Sequence, residues 1–420
     1  MTVPRPTGAS VSSQPNLTVI ALAVVGASVL TACAAGQPAT APAAQGAAPS
    51  TKASSTGPRA AAAAFRLSTG AADGDRHASV GGAGDVEVSG GTISSVTLTT
   101  AGGTPVRGTA AADHRRWSPD AALSYGTAYR LVVHAEDEAG GKQTRSLSFT
   151  TLTKDDRLIG TFTPEDGSTV GVGMPVSLNF NKPVTDKKAV ERGIRVTSDG
   201  GQEVVGHWFG NQRLDLRPET YWKAHTKVTL SLRLDGVKGA ANAYGTQDKT
   251  VRFTVGRRQV STVDAGTHIM RVVRDGDTVR TIPITSGAPG STTYNGQMVI
   301  SQKLVSTRMD GATVGYAGEY DIPDVPHAMR LSTSGTFIHG NYWAPDSVFG
   351  HSNVSHGCVG LNDVRGGGDS GQDASWFYDN SLIGDVVVVK HSRDHTIAPD
   401  NGLNGWNMSW ERWKAGSALA

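Results

Sequence analysis

Hydrophobic and polar residues alternate in short runs through the middle of the chain, the period-two pattern of half-buried β-strands. Such runs fall at 94–99, 129–134 and 145–150, and again at 176–180, 193–197, 228–234 and 250–255. Gly- and Asp-containing stretches separate them, and the runs divide into two units, 65–156 and 157–256. Each has the length and strand spacing of a small β-sandwich. Trp117, Trp208 and Trp222 fall inside these units and read as core packing rather than carbohydrate platforms.

The pattern changes after residue 256. Two extended runs within 268–284 meet at Asp275-Gly276, a hairpin signal. A strand is predicted at 298–301, and a second Asp-Gly turn stands at 310–311. Residues 315–331 contain Tyr316, Tyr320 and two prolines and read as a long, partly ordered loop between strands, of the kind that forms lids. One helix is predicted over 370–380 and a buried strand over 385–390. The segments 257–395 and 396–420 thus form a β-rich third domain and a Trp-containing tail. Trp406, Trp410 and Trp413 of the tail are expected to dock against the third domain.

The N-terminal pattern is different again. Leu17 to Leu30 is a continuous apolar run, too short for a comfortable membrane span and typical of a signal-peptide core. It ends in Leu30-Thr31-Ala32-Cys33, which is similar to the lipobox of bacterial lipoproteins. That resemblance makes 1–32 a signal peptide and Cys33 a lipidated residue holding the chain to a membrane. An ordinary secretory signal cleaved near Ala35 is the plainer alternative. Residues 33–64 are Ala, Pro, Gly, Ser and Thr with almost no large apolar side chain, a flexible tether. As a coil it would span on the order of 30 Å. The expected location is therefore outside the cytoplasm, facing the cell wall.

Composition changes this picture only by exclusion. Lys+Arg 39 against Asp+Glu 37 leaves a net charge of +2 with no basic block, so nucleic acid is not an expected partner. Of two cysteines, lipidation would consume Cys33, leaving Cys358 unpaired in an exported protein. An odd cysteine there calls for an explanation, and a reactive thiol is one.

Residues 337–362 supply the chemistry to use it. Cys358 follows Ser355, His356 and Gly357, and His339 stands nineteen positions upstream at a predicted strand end. A cysteine is mostly thiol at neutral pH, so a nucleophile needs a base beside it. A tight turn at 355–358 could aim the Gly357 and Cys358 N–H groups at a developing oxyanion. Two other readings fit the same residues: a buried inert cysteine with hydrogen-bonding histidines, or zinc held by His339, His351, His356 and Cys358. The spacing lacks the usual zinc pairs.

His339-Gly340 followed by Ser355-His356-Gly357-Cys358 resembles the L,D-transpeptidases with a YkuD-type catalytic domain. The resemblance takes in Ser286-Gly287, Asn295-Gly296, Trp376-Phe377-Tyr378, Gly384-Asp385 and the Trp-rich tail at 402–416. Pro164-Glu165-Asp166-Gly167 and the strand ending Asn179 to Val184 resemble bacterial Ig-like domains. The implied architecture is mainly β: two Ig-like sandwiches, a YkuD-type domain with a short helix, and a C-terminal subdomain.

The family's chemistry would make Cys358 the nucleophile on a peptidoglycan tetrapeptide stem and His339 the general base, with the Gly340 carbonyl orienting its ring. Resolution of the thioester by a diamino-acid amine of a neighbouring stem would give a 3→3 cross-link. Ser355 and His356 would shape the site, Gly357 would join the oxyanion hole, Tyr320 would be the lid tyrosine, and Trp343 would line the acceptor side. Gly360 stands where the family often has Arg or Asn in contact with substrate. The resemblance further implies reaction with carbapenem β-lactams and no metal or organic cofactor. An L,D-carboxypeptidase using the same thioester and a non-catalytic wall-binding lipoprotein are the alternatives.

Overall fold

The computed structural model describes residues 64–420. The expected signal peptide, the tether up to residue 63 and the lipidation site Cys33 lie outside the described residues.

The first two units are built as the alternation requires. Strand Ala128–Asp137 buries every second side chain over most of its length. It lies in a four-stranded sheet, and a second four-stranded sheet contains Val86–Ser89 and Arg116–Pro119. Leu131, Val133, Leu147 and Trp117 form their common core. The second unit repeats the plan with sheets centred on Val176–Phe180 with Arg213–Arg217, and Lys227–Arg233 with Asp248–Val255. Trp208 and Trp222 are buried in its core.

The third domain is organised on a nine-stranded sheet. In chain order its strands are β1 (Gln259–Asp264), β2 (Ile269–Arg274), β3 (Asp277–Thr285), β4 (Gly296–Val299) and β5 (Gln302–Asp310). They continue with β6 (Asp321–Arg330), β7 (Phe337–Asn341), β8 (Val359–Asn362) and β9 (Val386–Lys390). The spatial order is β4-β9-β1-β2-β3-β8-β7-β6-β5. Two of the pairings, β1 with β9 and β7 with β8, are parallel. The helix Asp373–Asp379 packs Phe377 and Ala374 into the core with Ile338, Val359 and Leu361.

Two expectations need correction. The stretch 315–331 is only partly loop, because β6 occupies its second half. Strand β6 pairs along β5 but meets β7 only at Met329 and Arg330. Pro323 and Pro326 therefore lie where one side of the strand makes no ladder bonds, the setting in which a strand tolerates proline.

The tail packs on both the third domain and the second sandwich, and it is the sandwich that takes the Trp406 and Trp413 side chains. Strand Val205–Phe209 is an edge with free backbone groups. The Trp208 N–H donates to the Gly416 carbonyl at 3.0 Å, and Trp413 Nε1 donates to the Val205 carbonyl at 2.9 Å. Trp406 joins the sandwich core, and its Nε1 donates to the Gly173 carbonyl at 2.7 Å. The tail reaches the third domain at two places. The Asn404 and Asn407 side-chain oxygens accept from the Val299 and Gln297 N–H groups of β4. On the turn between β6 and β7, Asn404 Nδ2 donates to the Leu331 carbonyl, while Asn401 Oδ1 accepts from the Thr333 hydroxyl and the Ser334 N–H.

Candidate active site

Parallel pairing of β7 and β8 sets the geometry of the site. His339 is opposite Gly360 in register. Paired residues of a parallel ladder face the same way, and side chains repeat every two residues, so Cys358 falls on the face that His339 occupies. Both line one cavity of about 520 Å³, together with Ser355, His356, Tyr320 and Trp343.

His339 is buried, and its Nδ1 lies 2.9 Å from the Gly340 carbonyl oxygen. A carbonyl only accepts, so Nδ1 carries the proton and Nε2 keeps its lone pair. Desolvation holds the imidazole pKa below its usual value, outweighing the Gly340 bond, which acts the other way. The ring is therefore neutral at neutral pH. Trp343 stacks on it at 5.6 Å between centroids while leaving 43% of its own surface exposed.

Cys358 is a half-buried free cysteine whose Sγ lies 3.6 Å from the Gly335 carbonyl. Desolvation pushes the thiol pKa up to about 11. The group is accordingly a thiol, without a resting thiolate, and needs a base at the moment of attack.

The turn before Cys358 is held from several sides. The Ser355 N–H donates to the Ser286 carbonyl at 3.0 Å, and its carbonyl accepts from the Ala288 N–H at 2.8 Å. Asn353 Oδ1 accepts from the Ser286 N–H and hydroxyl, while its Nδ2 donates to the Ala265 carbonyl. The Ser355 hydroxyl donates to the Cys358 carbonyl at 2.6 Å. The same hydroxyl oxygen accepts the Gly357 N–H at 3.2 Å. An oxyanion role for Gly357 would thus require that long bond to yield.

Tyr320 and His356 stand between the large cavity and a second, polar one of about 250 Å³ that Gly357, Thr292 and Asp394 also line. Their rings are 4.9 Å apart. Tyr316 touches His356 and lines only the smaller cavity, which favours Tyr320 as the lid tyrosine. Burial, followed by the nearby Cys358, raises the Tyr320 phenol pKa to about 12.

Two expected participants are not at the cavity. His351 is exposed in a turn and lines neither cavity, so the four candidate zinc ligands are not gathered. Gly360 also lines neither cavity. It is buried between β7 and β3, and an added Cβ would come within 2.8 Å of Thr285 Cγ2. Its place is one of close strand packing, which corrects its assignment to substrate contact.

Sequence reasoning missed Glu319, whose carboxylate meets His356 Nε2 at 3.0 Å from across the lid. It missed Asn353 as the anchor of the nucleophile turn. Only the proximity of Asn353 to Ser355 in the chain hinted at either.

Residues 258–389 match the family model described as the L,D-transpeptidase catalytic domain, and residues 75–238 match that of a bacterial Ig domain. L,D-transpeptidase 2 of Mycobacterium tuberculosis is 31% identical over 360 residues, covering 84% of this chain and 85% of the relative. L,D-transpeptidase 5 of the same species is 31% identical over 341 residues, covering 80% of this chain and 73% of the relative. Among solved structures, M. tuberculosis L,D-transpeptidase 3 in complex with a faropenem-derived adduct is 27% identical. It covers 56% of this chain and 99% of its own, with a TM-score of 0.44. On the identity and coverage shared with the first of these relatives, the chain belongs to the L,D-transpeptidase family.

Proposed function

We propose that the chain forms 3→3 cross-links in peptidoglycan through a thioester on Cys358, with His339 as general base and acid. The observation that carries this reading is the pairing of β7 with β8, which opens a thiol and a tautomer-fixed imidazole into one cavity.

In the first half-reaction Cys358 Sγ attacks the carbonyl carbon of the third stem residue while His339 Nε2 takes the thiol proton. The tetrahedral intermediate collapses by breaking the C–N bond, and His339 returns the proton to the departing D-alanine amine. In the second half, a diamino-acid amine attacks the thioester carbonyl. His339 takes a proton from that amine and returns it to the departing Cys358 sulfur. A neutral imidazole and a neutral thiol are the resting states this sequence needs. The Cys358 N–H is the first donor to the oxyanion. Trp343, exposed and stacked on the base, suits the acceptor side.

The same nucleophile makes carbapenem β-lactams expected acylating inhibitors. The activity calls for a position facing the wall, which lipidation of Cys33 after export would supply.

Intact-mass spectrometry of residues 34–420 with a disaccharide-tetrapeptide tests the reading. A thioester adduct is expected that Cys358→Ala abolishes, followed by cross-linked dimers. Tripeptides without dimers would replace the transferase by a carboxypeptidase. No adduct from either substrate or carbapenem would remove the enzyme altogether.

A further inference from the structure

Behind the base lies a buried ionisable pair that the reaction above does not use. His327 Nδ1 meets Asp363 Oδ2 at 2.7 Å, and the side chains are 9% and 0% exposed. His327 comes from β6 and Asp363 follows the end of β8, so the pair flanks β7 at the position of Gly340. The fit there is tight. A Cβ added to Gly340 would come within 2.0 Å of Asp363 Oδ2 and 2.8 Å of its Cβ and Cγ. With a Cα–Cβ bond of about 1.5 Å, the carboxylate oxygen lies within about 3.5 Å of the Gly340 Cα, the range of a Cα–H···O contact.

The surroundings keep both partners in place. Asp363 Oδ1 accepts the Val364 N–H at 2.8 Å. His327 adopts a left-handed backbone conformation, φ 51°, uncommon for a residue with a side chain. Tyr378 covers its ring at 5.2 Å between centroids. A buried ionisable pair is weak support for stability, and strained backbone gathers where function needs it.

We propose that Asp363, held by His327, is a positioning residue for the reaction. It wedges against Gly340 and so fixes the carbonyl that orients His339. Asp363 touches neither substrate nor thiol. In a hydrolase triad a carboxylate bonds the histidine directly. Here a neutral peptide carbonyl takes that place, and the carboxylate stands one contact further back. A peptide carbonyl on a strand that ends at Asn341 can rock, and each degree of rocking misdirects Nε2. Filling the space beside Gly340 with an anchored side chain removes that freedom.

The inference rests on the Cys358–His339 reading, and the experiment separates the two. Full-length protein carrying Asp363→Asn or His327→Asn is treated with a carbapenem, and adduct formation at Cys358 is followed by stopped-flow across pH and drug concentration. Asparagine tolerates positive φ, so His327→Asn removes the imidazole without adding backbone strain. Both variants are expected to lower the limiting acylation rate by roughly 10- to 100-fold, as when the outer partner of a functional histidine is removed. Half-saturating concentration should stay put, and the acid limb of the pH profile should move.

Wild-type rate and pH profile in both variants would overturn the positioning role. So would a loss confined to half-saturation, or one matched by an equal loss of folded protein on thermal melting. If wild type itself gains no adduct, the parent reading falls instead.

Discussion

At the scale of residues, the site contains two groups whose burial pushes them the same way, towards neutrality. The thiol is raised to about 11 and the imidazole is lowered. Their signs predict a pH profile. Acylation requires neutral His339, so its rate should fall only on the acid side, below the usual histidine range of about 6.5. Between pH 7 and 9 neutral imidazole is saturated and thiolate is scarce, so the rate should be flat. A thiolate mechanism would instead rise about tenfold per pH unit towards 11. Carbapenem acylation followed by absorbance across that window decides between them, and a log-linear rise would discard the general-base role of His339.

At the scale of elements, the lid is the feature on which access depends. Glu319 meets His356 at 3.0 Å, but both side chains are well exposed, and exposed ion pairs contribute about 0–1 kcal/mol. Glu319→Gln should therefore change kcat/KM less than about fivefold. Tyr320 faces both cavities and Tyr316 one, so Tyr320→Ala should cost more than Tyr316→Ala. Steady-state cross-linking assays on the three variants measure this, and equal losses for the two tyrosines would undo the assignment.

The same element shows what sequence reading can and cannot reach. The hairpin of β2 and β3 was legible from two extended runs meeting at Asp275-Gly276, and β9 from its unbroken apolar run, whereas β1 went unread although it has neighbours on both sides. Most of β6 was missed, because proline breaks the alternation signal and the pairing that rescues the strand is with residues some twenty positions away. His339 and Cys358 were legible as residue types in a pattern. Gly340 was legible as a partner only through family resemblance. The Asp363–His327 pair was invisible, since its members are 36 residues apart and meet only after β6, β7 and β8 assemble. Gly360 was misplaced because a glycine shows no chemistry in a sequence, and only the packing of Thr285 against it reveals a steric role.

At the scale of the whole molecule, the second sandwich, the third domain and the tail share a packed interior rather than hanging as beads. Val299 of β4 lies in the core of the sandwich, and the Gly171 and Gly173 N–H groups donate to the Ile383 and Gly384 carbonyls. Arg217 is the pin of the tail. Its guanidinium carbon lies 4.6, 5.4 and 4.2 Å from the ring centroids of Trp406, Trp410 and Trp413. It also donates to the carbonyls of Pro218, Glu219, Gly405 and Met408. Desolvation lowers its pKa to about 10, still well above neutrality, so the charge persists inside the cage.

Trp413 is fully buried, stacks on His207 at 4.9 Å between centroids and covers one face of the Arg217 guanidinium. Trp413→Ala removes its large buried side chain, a loss that costs about 3–5 kcal/mol in a core. It also leaves the Val205 carbonyl without its Trp413 Nε1 donor and Arg217 without its nearest ring. Destabilisation at the upper end of that range is expected in guanidinium unfolding. Trp413 itself packs on the second sandwich. The tail grips the third domain earlier in the chain, through Asn401 and Asn404 on the turn between β6 and β7 and through Asn404 and Asn407 on β4. Acylation by carbapenem per folded molecule should therefore be unchanged. A loss of acylation in fully folded Trp413→Ala protein would show that the tail supports the site itself, and would make the sandwich a working part of the catalytic domain.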